Sequence, residues 1–291
     1  IMSGSSDVTY MYNINYVSGT LTVNLKALTI TADDAEKEYD GTALTKNSYT
    51  HSDLAEGDTI TGVTVTGSQT DVGSSANEPS AAVIMRDETE VTNNYNITYI
   101  AGTLTVTKNT NVITITANSK DKTYDGTPLT DVGYTYTDGI LATGDVLSAV
   151  VEGTITNAGT ADNVVESYKV MRGDDDVTSF YTIEPAKGTL TVTKKDLTIT
   201  ADDKTKVYGA SDPELTYTIT EGSLVSGDSI TGILTRAVGE NVGTYAIIQG
   251  TLAVSDNYNL TFTNGTFEIT QKKLTITADD AEKEYDGTAL T

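Results

Sequence analysis

Residues 28–45 read LTITADDAEKEYDGTALT, and the same letters return unchanged at residues 274–291. Leu28, Ile30 and Ala32 alternate with Thr29 and Thr31, the period-two pattern of a half-buried strand. Tyr39 follows, and Asp40–Gly41 is a turn signal. Two variants lie between the identical copies: ITITANSKDKTYDGTPLT from Ile113 and LTITADDKTKVYGASDPELT from Leu197. The four starts are 85, 84 and 77 positions apart. A period of this size defines modules, and it is long for a solenoid, whose repeats run to about 45 residues.

A second pattern closes each module. Tyr95–Asn96–Ile97 leads to Gly102–Thr103–Leu104–Thr105–Val106, and the same run recurs from Tyr181 to Val192, Tyr258 to Ile269 and Tyr12 to Val23. The alternation of Tyr95, Ile97 and Tyr99 predicts a strand. Gly102, taken as the residue needing positive φ, predicts a hairpin into Leu104 and Val106. Mid-module, Gly57–Asp58, Gly144–Asp145 and Gly227–Asp228 predict one helical turn or a tight loop. The expected organisation is a module tail at 1–27, modules at 28–112, 113–196 and 197–273, and a module head at 274–291. Val23 to Leu28, Val192 to Leu197 and Ile269 to Leu274 are each 5 positions, and Val106 to Ile113 is 7. Junctions this short, with no flexible spacer, predict tandem small modules in an extended rod.

The composition is rich in Thr, Val, Ile and Tyr, with 4 Pro and no sustained helical period. The expected fold class is all-β. Each module is expected to be β-grasp-like with at most a short helical turn, an immunoglobulin-like β-sandwich being the alternative. The net charge of -23 excludes nucleic acid as a partner, because phosphate neutralisation needs clustered Lys and Arg. No apolar run approaches the ~18 residues of a membrane span, so no membrane insertion is expected in this segment. There is no Cys, hence no disulfide and no zinc–thiolate site.

The candidates for chemistry are few. His51 is the single His and has no nucleophile motif beside it. Paired carboxylates can act as acid and base in glycoside hydrolysis. Asp33–Asp34, however, recurs in register as Asp202–Asp203, and neighbours on a strand point to opposite faces. Calcium is the one cofactor the composition brings up, with Asp33, Asp34, Asp202 and Asp203 as candidate oxygen ligands. Asn118–Ser119 breaks that pattern in the second module, and solvated turn carboxylates are the competing reading. Tyr39, Tyr124, Tyr208 and Tyr285 each stand 11 residues after their module's first apolar residue, which points to packing and burial rather than to sugar stacking.

Tyr39–Asp40–Gly41 and Tyr124–Asp125–Gly126, each with the strand before and the Gly–Thr–Leu–Thr–Val strand after, resemble the YDG domain of bacterial surface proteins. The third module, with Tyr208–Gly209–Ala210, resembles the related MBG domain of the YGX type. The resemblance brings no catalytic residues, so the chain is expected not to be an enzyme. It implies a tandem repeat of a secreted bacterial cell-surface adhesin: an extracellular structural stalk that projects a distal adhesive region. Its partners are then the neighbouring modules of the same chain. Binding of a host or matrix glycan or protein, or self-association into fibres through strand edges, is the alternative.

Overall fold

The computed structural model describes residues 1–291, and the chain is built of strands, with three short 3-10 turns and no α-helix. It falls into two compact units. One comprises residues 1–111, 140–146 and 171–182, the other residues 112–139, 147–170 and 183–291.

In the first unit, Lys26–Ala32 is the centre of a three-stranded sheet. Tyr95–Ile100 lies parallel to it, with Lys26 opposite Tyr95 and Thr31 opposite Ile100. Tyr49–His51 lies antiparallel on the other side. The second sheet begins with Ala35–Glu38, parallel to Gly102–Thr107. Gly102–Thr107 pairs antiparallel with the long strand Gly73–Arg86, and this in turn pairs with Asp58–Thr66. Leu28 and Ile30 from the first sheet pack against Ala82 and Ile84 from the second, with Tyr95 in the same cluster. Two sheets face each other across one core, which is the sandwich alternative. The β-grasp-like arrangement around a helical turn is not formed: the stretch at Gly57–Asp58 is a single turn closed by the Asp58 N–H on the Ala55 carbonyl at 3.0 Å.

The predicted hairpin at Gly102 is also corrected. Tyr95–Ile100 and Gly102–Thr107 belong to different sheets, and the chain steps from one to the other at Ala101. Lys26–Ala32 makes the same step at Asp33–Asp34 into Ala35–Glu38. The two segments cross side by side, so their backbones come very close. A Cβ on Gly102 would lie 2.5 Å from the Asp33 carbonyl oxygen and 2.6 Å from that of Ala32. Gly102 is needed for this contact and not for a positive φ. The long strand bends at Ala81, where φ is 49° and the register against Asp58–Thr66 shifts. The bulge changes which alternate residues face inward, from Asn77 and Pro79 to Ala82 and Ile84.

The second unit repeats the scheme. Lys195–Ala201 sits between Tyr217–Glu221 and the parallel Tyr258–Thr263. Lys204–Val207 runs parallel to Gly265–Thr270, which pairs antiparallel with Gly243–Ile248. Lys120–Thr123 runs parallel to Gly188–Thr193 in the same way. Leu190 and Val192, closing one module, share a continuous apolar cluster with Leu197 and Ile199, opening the next.

The duplicated segment shows what the strands depend on. Leu28 and Tyr39 are 1% and 0% exposed, whereas Leu274 and Tyr285, in identical local sequence, are 80% and 97% exposed. Residues 274–291 form no strand, and neither do residues 12–25. The pairing partner of Lys26–Ala32 lies some way down the chain at Tyr95–Ile100, so the strand is a product of distant contacts.

Gly102→Ala is expected to cost about 1–3 kcal/mol, the range for forcing atoms into a packed site. Gly62→Ala, where a Cβ would meet nothing within 4 Å, should stay within about 0.5 kcal/mol. Urea unfolding of the two variants beside the parent checks the difference.

Candidate functional site

The repeated turn holds itself together locally. Lys37 Nζ donates to Asp40 Oδ1 at 2.6 Å and to the Thr42 carbonyl at 2.6 Å, while the Thr42 N–H and hydroxyl both donate to Asp40 Oδ1. Lys122, Asp125 and Thr127 repeat these bonds. Lys283, Asp286 and Thr288 repeat those to the aspartate in the exposed copy, with the Lys283 carbonyl bond moved to Ala289. The Lys37 ammonium, followed by the Thr42 donors, holds Asp40 down to about 2. Gly41, with φ at +77°, occupies the left-handed corner. In the third module the motif aspartate is replaced by Gly209. Lys206 turns instead to Asp212 and Glu240, which Arg236 also binds. Arg236, then Lys206, holds Asp212 at about 2. The lysine two residues before the tyrosine is thus the common element of both turn types, and sequence reading had passed over it.

The turn serves to present the tyrosine. Tyr39 carries its side chain into the second module. Its hydroxyl donates to Asp145 Oδ2 at 2.8 Å, across 106 residues of sequence. The same oxygen accepts from the Tyr181 hydroxyl at 2.6 Å, which itself accepts the Ala142 N–H at 2.9 Å. Arg172 Nε donates to Asp145 Oδ1 at 2.8 Å, and its Nη1 reaches Asp71 at 3.0 Å. The guanidinium lies over the Tyr39 ring, 5.2 Å from its centroid. Phe180 and Tyr181 meet that ring edge-on at 5.0 and 5.4 Å. A buried carboxylate thus receives two phenols and a guanidinium, which offsets its desolvation. Gly41 is fitted to this contact too, since a Cβ there would lie 2.7 Å from the Ala142 Cβ.

A second joint of the same plan lies in the second unit. Tyr124 meets Tyr258 edge-on at 5.7 Å, and its hydroxyl faces Asp228 and Asn257. Tyr258 donates to Asp228 Oδ2 at 2.7 Å and accepts the Val225 N–H at 2.7 Å. Asn257 accepts the Ala158 N–H at 2.8 Å and donates to Asn157. A Cβ on Gly126 would lie 2.6 Å from Val225 Cγ1. Burial first, and then the hydrogen bond to the aspartate, raises the Tyr181 and Tyr124 hydroxyls above their ordinary range. The expected burial thus holds for Tyr39 and Tyr124 and fails for Tyr208 and Tyr285, which are exposed. The Gly–Asp signal at Gly144–Asp145 and Gly227–Asp228, read from sequence as a helical turn or tight loop, marks the receiving carboxylates.

The acidic pairs do not converge. Asp33 accepts the Ser48 hydroxyl, while Asp34 accepts the Thr103 N–H at 2.7 Å. Asp202 accepts the Thr216 and Thr218 hydroxyls, and Asp203 the Thr266 N–H at 2.6 Å. Ser119 accepts the equivalent Thr189 N–H at 3.0 Å, so the position requires an acceptor and not a charge. No three acidic or histidine side chains are grouped to hold a metal ion. His51 is exposed, with Nδ1 2.8 Å from the Ser52 carbonyl oxygen.

Residues 28–105 and 197–268 match the family model of the MBG domain (YGX type), and the chain belongs to that family. The first of these stretches carries Tyr39–Asp40–Gly41 and the second Tyr208–Gly209. No curated protein matches the chain. Among solved structures it is similar to Drosophila N-cadherin EC1-3, at 12% identity over 83% of this chain and 98% of that chain, with a TM-score of 0.30. It is also similar to the I9-I11 tandem from titin, at 11% identity over 84% of this chain and 100% of that one, with a TM-score of 0.18. The MBG family is not an enzyme family, and the all-β fold fits a structural module.

Tyr124→Ala is expected to cost about 3 kcal/mol or more, as buried aromatic truncations do. Tyr285→Ala, at the equivalent exposed position, is expected to cost almost nothing; thermal melts of the two variants compare them. The raised phenols give a second expectation. A group whose folded pKa lies above its unfolded value stabilises fully below the unfolded value, about 10 for tyrosine, and loses that contribution as pH rises through the folded one. The melting temperature should therefore hold between about pH 7 and 9 and fall above about pH 10. The fall should be shallower in Tyr181→Phe.

Proposed function

We propose that this chain is a non-enzymatic spacer repeat of a secreted bacterial cell-surface protein, and that it projects an adhesive region carried elsewhere. One observation carries the reading: the first and last strands of a module run parallel, Lys26 beside Tyr95 and Glu38 beside Thr107. Parallel first and last strands bring the chain in at one end of the module and take it out at the other. Each module then adds length instead of folding the chain back. The tyrosine joints and the junctions without spacers support the same reading, because both limit swing between neighbours. Membership of the MBG family supports an extracellular repeat module. The many acidic residues suit an exposed, non-sticking surface.

Small-angle scattering on residues 1–291 tests it. A globular chain of this length has a radius of gyration of roughly 19 Å. The spacer reading expects a value well above that, with a longest dimension exceeding roughly 100 Å from strands rising ~3.3 Å per residue. A compact particle would overturn it.

A further inference from the structure

The chain holds a third tyrosine turn and a third receiving site, and neither is engaged. The receiving site is in the first module. Ala55 N–H donates to the Tyr95 hydroxyl at 2.9 Å, Tyr95 donates to Asp58 Oδ2 at 2.6 Å, and Arg86 Nε donates to Asp58 Oδ1 at 2.6 Å. Ala142, Tyr181, Asp145 and Arg172 make the same set of bonds around the docked Tyr39. Beside Asp58 and Arg86 a cleft of about 390 Å³ opens, bounded by Leu25 and Asn94. Asp145 Oδ2 accepts from two tyrosines, whereas the bonds to Asp58 Oδ2 come to one, from Tyr95. Asn94 precedes Tyr95 as Asn257 precedes Tyr258, so this site combines the arginine of one occupied joint with the asparagine of the other.

The turn is in the third module. Tyr208 N–H donates to the Thr270 carbonyl at 2.9 Å, as Tyr39 does to Thr107 and Tyr124 to Thr193. Gly209, at the place of Asp40 and Asp125, has φ +81°, so the left-handed corner comes one residue earlier than at Gly41 and Gly126, where φ is +77° and +78°. A Cβ on Gly209 would meet nothing within 4 Å. Tyr208 is 50% exposed. The first-module sequence begins again at Leu274, 5 positions after Ile269, the spacing found between Val192 and Leu197.

We propose that the Asp58–Tyr95–Arg86 site receives the Tyr208–Gly209 turn of a preceding copy of the three-module series, so that the third module docks on the first as the first docks on the second. The occupant is the same kind of chain, joined in line. Val23 to Lys26 border the cleft, so the incoming turn comes from the module that leads directly into the site. This deepens the spacer reading, but its test reads docking and not length, so either can fail alone.

The test appends residues 46–111 after Thr291, which completes the module begun at Leu274 and leaves Tyr208 unique in the protein. Covalent labelling of tyrosine, read by mass spectrometry, compares Tyr208 in this protein and in residues 1–291. The expected result is a fall in Tyr208 labelling by roughly tenfold or more, the protection of a side chain behind an opening equilibrium, with Tyr124 unchanged. Arg86→Ala or Asp58→Asn, placed in the appended module alone, should restore the labelling. Amide exchange of the Gly102–Thr107 peptide, present twice, should show one protected population, which reports that the appended module is folded. Tyr208 labelled at its original rate, or an appended module that does not fold behind it, would overturn the proposal.

Discussion

The parallel pairing of a module's first strand with its last is the constraint on which the other features rest. Lys26–Ala32 and Tyr95–Ile100 are joined across the whole module, so neither forms until the residues between them are in place. Two parallel strands that cross together from one sheet to the other bring their backbones into contact at Gly102 and Asp33. The second acidic position supplies the bond that closes the crossing, Asp34 to Thr103 and Asp203 to Thr266, with Ser119 doing the same for Thr189. Features that look in sequence like a metal-binding pair and a hairpin glycine are both consequences of that one crossing.

The duplicated segment separates local from distant causes. Residues 283–288 keep the lysine–aspartate–threonine bonds of residues 37–42 although their strand is unformed. A turn closed by an aspartate accepting from the N–H two residues on needs nothing beyond its own sequence. A strand needs a partner, and Leu274 remains exposed where Leu28 is buried. The turn therefore holds its shape before it docks, which lowers the conformational entropy lost on docking.

Much of the fold was legible because it is written as repetition. The alternation of Leu28, Ile30 and Ala32, and the tyrosine at a fixed offset, are local signals; the turns appear where they predict them, and the strands do so from Lys26 to Thr270 but not at Leu274 or Tyr12. The partner of Tyr39 was not legible. Asp145 is 106 residues away, and a Gly–Asp pair in a loop reads equally well as a solvated turn. The sheet arrangement escaped for a related reason: period two reports that a strand has two unlike faces but not which sheet it joins. The hint that was present lay in the third repeat of a Gly–Asp dipeptide, an aspartate recurring once per module just as the tyrosine does.

The two joints reach the same end by different chemistry. In the first, Arg172 binds Asp145 and Asp71 and covers the Tyr39 ring, so one guanidinium fastens carboxylates from both modules. In the second, the Asn257 side-chain amide bridges by hydrogen bonds, accepting from the Ala158 N–H and donating to Asn157. A buried carboxylate that loses one of several donors is left poorly compensated, and removing a partner costs more than the pair contributes. Each aspartate therefore favours the fully docked arrangement over a half-open one. Phe180 occupies in one joint the position held by Asn257 in the other, so the two receiving sites differ in shape and polarity while sharing the tyrosine–aspartate pair. The pair is common to both joints, and the residues around it give each joint its own fit.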